Sequence, residues 1–186
     1  MAMNNMRVWL EAQETKSTEE NTTLEVAWKA PTLSMIKINL DAGWTGTNSL
    51  GFGFVARSHT GAMLVAGTHV EEQCLDPLMA EALAMRWCML QARELGMDSV
   101  IFESDFLSVI RALRSDSSVW TIQNIIQDCQ ALARDFMSIS FSHVKREANS
   151  PAHALAFLTF NFKDHLWWDV PPAEIEHLLF VDAAFS

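Results

Sequence analysis

Asp41, Glu81 and Asp105 are three carboxylates whose local surroundings could bring them to one place. Gathered carboxylates repel one another unless a cation joins them. Their hard oxygen donors favour Mg²⁺ or Mn²⁺ over zinc, and such clusters serve in-line phosphoryl transfer in which two ions flank the scissile phosphate. Each residue also has a plainer local reading. Asp41 precedes Gly43 and would make an ordinary turn residue. Glu81 could reach solvent from the edge of a helix stripe, and Asp105 could be a helix N-cap. The elements that carry them decide between these readings.

From Met35 the chain alternates strictly, with Ile36, Ile38 and Leu40 on one face and Lys37, Asn39 and Asp41 on the other, a strand ending at Asp41. A turn region around Gly43 and Gly46 leads to two further strands, Leu50 to Arg57 and Ala62 to His69, joined by Ser58-His59-Thr60-Gly61. Asp76 and Pro77 open a helix that runs to Leu95 and stops at Gly96. Its stripe of Leu78, Ala82, Met85, Met89, Ala92 and Leu95 faces a sheet, and Glu81 lies on or beside that stripe. A strand from Ser99 to Glu103 delivers Asp105 to the start of a short helix at Phe106 to Leu113. A second long helix around Ile122 to Leu132, a strand from Ser138 to Val144 and a helix opening at Ser150-Pro151 follow. The order is β-β-β-α-β-α-α-β-α. A strand, helix, strand passage implies parallel pairing, which would put Asp41 and Asp105 at one end of the sheet.

With 186 residues, 49% of them apolar and 19% charged, the chain can bury one core and is short for two ordinary domains. Residues 1–24 are polar and read as a flexible lead-in, 25–160 as the domain, and 161–186 as an apolar tail that packs back on it. Arg86 and Arg93 interrupt the most apolar stretch, and Lys163 and Asp164 interrupt the tail, so no run reaches the roughly 20 residues of a membrane span. The first thirty residues lack the apolar core of a secretory signal, so the chain is expected to be intracellular, nuclear or cytoplasmic. Cys74, Cys88 and Cys129 are odd in number and scattered, against a disulfide framework or a zinc site. The net charge of −10 does not by itself exclude nucleic acid. Residues 1–30, 31–160 and 161–186 contribute −2, −4 and −4, and bound divalent cations would offset the middle segment.

Several short runs carry a further signal. They are Trp28-Lys29-Ala30-Pro31, Lys37-Ile38-Asn39-Leu40-Asp41, Gly51-Phe52-Gly53-Phe54-Val55-Ala56-Arg57, Ala80-Glu81-Ala82, Glu103-Ser104-Asp105, and the stretch from His143-Val144-Lys145-Arg146-Glu147-Ala148-Asn149 through Ser150-Pro151-Ala152-His153 to Ala154-Leu155-Ala156. In order and spacing this set resembles the plant ribonuclease H-like domains associated with non-LTR reverse transcriptases, from about Trp28 to the C-terminus. The resemblance implies a ribonuclease H-like α/β fold, a five-stranded mixed sheet with helices on both faces. It also implies a monomer that is part of, or derived from, a reverse-transcriptase polyprotein. In that family the RNA strand of an RNA/DNA hybrid is cut with two Mg²⁺ ions held by four carboxylates.

Asp41, Glu81 and Asp105 match the first three of those positions, and the fourth falls on His153. A neutral imidazole can bind a divalent metal or hydrogen-bond its water, although it is a poorer Mg²⁺ ligand than a carboxylate. Ala42 stands where the family has Gly, with Gly43 next, and its methyl is expected to crowd the approach of substrate. No basic projecting helix is present, so grip on the hybrid would fall to Lys145, Arg146 and Asn149, each of which could equally be a solvated loop residue. Trp44 is the one tryptophan placed to meet nucleic acid. The expected protein is a metal-dependent endoribonuclease acting on RNA/DNA hybrids. Its rival is a retrotransposon-derived domain that has kept the fold, lost turnover, and binds nucleic acid or protein.

Overall fold

Alternation along the chain builds a meander of three antiparallel strands, β1 (Ile36–Trp44), β2 (Ser49–Arg57) and β3 (Met63–Glu72). In this computed structural model residues 27–44, 49–72 and 76–184 are described, so the 1–24 lead-in and Cys74 lie outside them. Asp76 accepts a hydrogen bond from the Leu78 amide at 2.9 Å, and Pro77 follows it to open helix α1 (Pro77–Glu94). Gly96, with φ at +69°, ends the helix in the left-handed region. Next come β4 (Ser99–Ser104), α2 (Leu107–Leu113), α3 (Gln123–Leu132), β5 (Ser138–His143) and α4 (Ser150–Leu158).

The expected element order holds through α4, and the strand count does not. Among the described residues the sheet has six strands, in the order β5-β4-β1-β2-β3-β6, instead of five. The sixth, β6 (His165–Trp168), pairs antiparallel with the outer edge of β3 through Val65–Thr68. Four residues between Asp164 and Asp169 are too few for alternation to show. A last helix, α5 (Ala173–Ala184), buries Ile175 against Val55, Met63, Leu155 and Leu158.

Two cores flank the sheet. Ile38, Leu40, Ala42, Phe52 and Phe54 pack with α1, α2 and α3 on one face. On the other, α4 packs across β1 and β2, and α5 packs on α4 and reaches Val55 of β2 through Ile175. That second face of β1 carries Lys37, Asn39 and Asp41, and it is buried although its residues are polar. The side chains of Lys37 and Asn39 find their partners inside the protein. Lys37 pairs with Glu103 at 2.8 Å, Asn39 donates to Glu103 at 3.0 Å, and Arg57 donates to the side-chain oxygens of Asn39 and Asp182, each at 2.7 Å. The Arg57 guanidinium also lies 3.7 Å from the centre of the Trp28 ring.

Gly53 sets how closely α4 approaches the sheet. A Cβ there would stand 2.4 Å from the Ala156 backbone nitrogen and 2.7 Å from the Ala152 carbonyl oxygen. Backbone atoms cannot rotate away, so Gly53→Ala must push α4 off β2. We expect a loss of about 1–3 kcal/mol in urea unfolding, the usual scale of overpacking. An unchanged midpoint would contradict this packing.

No described helix is long and apolar enough to cross a membrane. Cys88 and Cys129 are free and buried, and burial pushes the Cys129 thiol up to about 12, so both act as small apolar residues.

Candidate metal centre

β1 and β4 run parallel with Asn39 opposite Glu103, so two residues further on Asp41 and Asp105 emerge at the same end of neighbouring strands. Helix α1 crosses that end and contributes Glu81 from its second turn. One ligand oxygen from each of Asp41, Glu81 and Asp105 lies within 4.8 Å of the others, and all three residues are buried. Among the described residues this is the one such group of His, Cys, Asp or Glu side chains. The N-cap position of α2 is Phe106 and not Asp105, and the Oγ of Ser104 accepts from the Phe106 amide at 3.0 Å. The carboxylate of Asp105 belongs to the cluster instead.

The fit to a cation follows from the donor set. Three buried carboxylates drawn from three elements give oxygen ligands only, which suits a hard divalent ion and not zinc or copper. Without a cation their like charges oppose one another.

His153, on the first turn of α4, stands outside this group and touches it through Asp41, its Nδ1 lying 2.6 Å from Oδ2. A terminal nitrogen of Arg146 lies 2.6 Å from His153 Nε2 and 3.4 Å from Nδ1. The edge of the ring meets Phe157 at a centroid distance of 4.9 Å.

The residues expected to touch substrate divide. Lys145 and Arg146 are exposed at the entry to a short 3-10 turn, Arg146–Asn149, beside the cluster. Asn149 is fully buried: its amide donates to the Leu40 carbonyl at 2.9 Å and its oxygen accepts from Asn39 at 3.3 Å. It is a tie between α4 and β1, which corrects its assignment as a substrate contact. Ala42 is corrected likewise. Strand alternation turns its methyl away from Asp41 into the core with Ile38 and Leu40, where it cannot crowd a ligand. Gly43 points toward α4, and a Cβ on it would stand 3.3 Å from both the Ala156 methyl and the Phe157 ring. Trp44 is half-buried against the main core.

Two neighbours of the cluster escaped the sequence reading. His143 ends β5 opposite Ser104 and donates from Nε2 to the Asp105 carbonyl at 3.2 Å. The parallel pairing of β4 with β5 was the signal available for it. Phe157 stands one turn after His153, a spacing that puts both on one side of α4.

A family model described as reverse transcriptase-like matches residues 39–158. No curated protein matches. Among solved structures, the ribonuclease H1 of the halophilic archaeon Halobacterium salinarum NRC-1 superposes with a TM-score of 0.64 at 21% identity, over 69% of this chain and 98% of that one. A ribonuclease H1 from compost, LC11-RNase H1, solved in complex with an RNA/DNA hybrid, gives a TM-score of 0.58 at 21% identity over 64% and 92%. The prototype foamy virus protease-reverse transcriptase gives 0.51 at 16% identity, over 68% of this chain and 20% of that one. At these identities the similarity establishes a ribonuclease H-like fold.

Proposed function

The chain belongs to the reverse transcriptase-like family, and from that premise we propose that it is an endoribonuclease that hydrolyses the RNA strand of RNA/DNA hybrids. The observation that carries this reading is the buried trio of Asp41, Glu81 and Asp105 at the shared end of β1 and β4. These residues would hold Mg²⁺ or Mn²⁺, two ions as in two-metal hydrolases. When bound, such ions supply a water activated for attack and charge compensation at the leaving 3′ oxygen. The protein's own part is to bring the three carboxylates together and shield them, with Asp41 further held by His153. Lys145 and Arg146, exposed at the mouth, would meet backbone phosphates. Specificity would come from 2′-hydroxyl contacts and from the shape of the hybrid, with little reading of bases. The complex of LC11-RNase H1 with a hybrid supports this substrate class. The motif runs support an origin in plant non-LTR retroelements.

The second reading, a domain that binds without turnover, draws on His153 at the fourth position. A panel of one sequence made as RNA/DNA hybrid, duplex RNA, duplex DNA and single-stranded RNA separates the two. Cutting confined to the RNA of the hybrid supports the enzyme. Binding of the hybrid by folded protein with no cutting of any substrate supports the binding domain.

A further inference from the structure

β1 and β4 stop pairing just before the metal centre. Their ladder ends with Asn39 opposite Glu103, and Asp41 and Asp105 lie two residues further on, past the last rung. At that rung the side chains are joined as well, Asn39 Nδ2 donating to Glu103 Oε2 at 3.0 Å. The Asn39 amide can face only one way. An arginine guanidinium only donates, so the atom 2.7 Å from Arg57 Nη2 is the amide oxygen, and the NH2 group turns to the other side. There its two hydrogens meet Glu103 and, at 3.3 Å, the side-chain oxygen of Asn149. Asn149 is fixed by the same logic, because its own NH2 donates to the Leu40 carbonyl at 2.9 Å, an oxygen that only accepts. It stands at the N-cap position of α4, yet its side chain makes no capping bond and is spent on β1 instead. Asp182 of α5 anchors Arg57 at 2.7 Å, and every member of the set is buried.

We infer that Asn39 is a positioning residue for the metal centre: it clamps β1 to β4 and to the start of α4, and Arg57 sets the direction of the clamp. The three elements joined at Asn39 lead to Asp41, Asp105 and His153 respectively. Beyond the last rung no ladder holds β1 and β4 at a fixed spacing, so the side-chain bonds behind the carboxylates take over that task. A buried polar and ionic set is a costly way to hold a fold, since apolar side chains of similar volume often stabilise as well. What a fully paired network adds is fixed direction and distance. The inference rests on the metal-binding reading of the centre.

The experiment compares Asn39→Ala and Asn149→Ala with Ile126→Val and Ile126→Ala, core truncations on α3, which brings no residue to the centre. All are measured at a temperature where circular dichroism shows them folded, and urea midpoints rank their stabilities. Calorimetric affinity for Mn²⁺ should fall about 10-fold in Asn39→Ala, the lower end of the range for groups behind metal ligands. The fall should be smaller in Asn149→Ala, which leaves the bond to Glu103 in place. On the hybrid, kcat should drop about 10²-fold in Asn39→Ala, the scale of a misplacement of about 1 Å, while KM holds because Lys145 and Arg146 are untouched. The Ile126 variants should lose stability and keep wild-type affinity. In metal-free wild type the Asn39 NH2 protons, assigned by their loss in Asn39→Ala, should exchange with solvent far more slowly than those of exposed amides. Fast exchange, or an affinity loss no greater than that of an Ile126 variant of equal stability, would overturn the inference. If Asn39→Ala does not fold, Asn149→Ala decides by the same comparison. Wild type that binds no Mn²⁺ would overturn the reading of the centre itself, whereas wild type that binds, with clamp variants that follow the controls, overturns the clamp alone.

Discussion

Asp41→Asn and Glu81→Gln should each lower cleavage of an RNA/DNA hybrid by about 10³-fold or more, the scale of losing several kcal/mol of charge stabilisation in the transition state. The same substitutions should leave the melting temperature of metal-free protein unchanged or higher. Both side chains are buried within 4.8 Å of other carboxylates, so an amide of the same shape removes a repelling charge. The pairing of lost activity with retained or raised stability distinguishes a site from a structural role. A variant that keeps wild-type turnover would show that the cluster is misassigned, and one that unfolds would show that the carboxylate is part of the scaffold. Added Mg²⁺ should raise the melting temperature of the wild type and have little effect on the variants.

Asp182→Ala should be the most damaging change outside the centre, costing about 3–5 kcal/mol in urea unfolding, the usual penalty for leaving a buried charge without its partner. Arg57 is fully buried, and its Nη1 donates to Asp182 at 2.7 Å across a separation of 125 residues. Asp182→Asn keeps an acceptor for that donor and should cost less. The pair also sets a pH dependence. Burial raises the Asp182 carboxyl above its ordinary value of 3.8, and Arg57 draws it only part of the way back. Folding therefore favours the protonated acid, so this contribution to stability is complete below pH 3.8 and is lost as the pH climbs through the raised native value. The stability of wild type relative to Asp182→Asn should rise on acidification through that window, other carboxylates being common to both. A difference that does not change with pH would contradict the burial of this charge.

The route from sequence to the carboxylates was short because each lies where a local pattern ends. β1 stops soon after Asp41, β4 stops before Asp105, and Glu81 interrupts an apolar stripe, so alternation, helical spacing and one parallel crossover were enough to bring them together. Ala42 joins Ile38 and Leu40 in the core because β1 runs on to Trp44, past Asp41 where the sequence reading ended the strand. Asn149 misled for a different reason. A polar residue in a turn reads as solvated, and only the fold shows that it spans to Leu40 and Asn39 more than 100 positions away. The buried polar face of β1 was hidden in the same way, since alternation separates two faces without saying that a second layer covers the polar one. The Arg57 to Asp182 pair and the pairing of β6 with β3 have no local signature at all.

The central claim is that the buried carboxylates make this chain a metal-dependent ribonuclease on hybrids. Its most direct test is a hybrid end-labelled on either strand, incubated with wild-type or Asp41→Asn protein in Mg²⁺, in Mn²⁺, or in a chelator. The account predicts internal cuts in the RNA strand alone, only with metal and only with wild type. Cleavage that persists in the chelator or in Asp41→Asn, or no cleavage by folded wild-type protein under either metal, would contradict it.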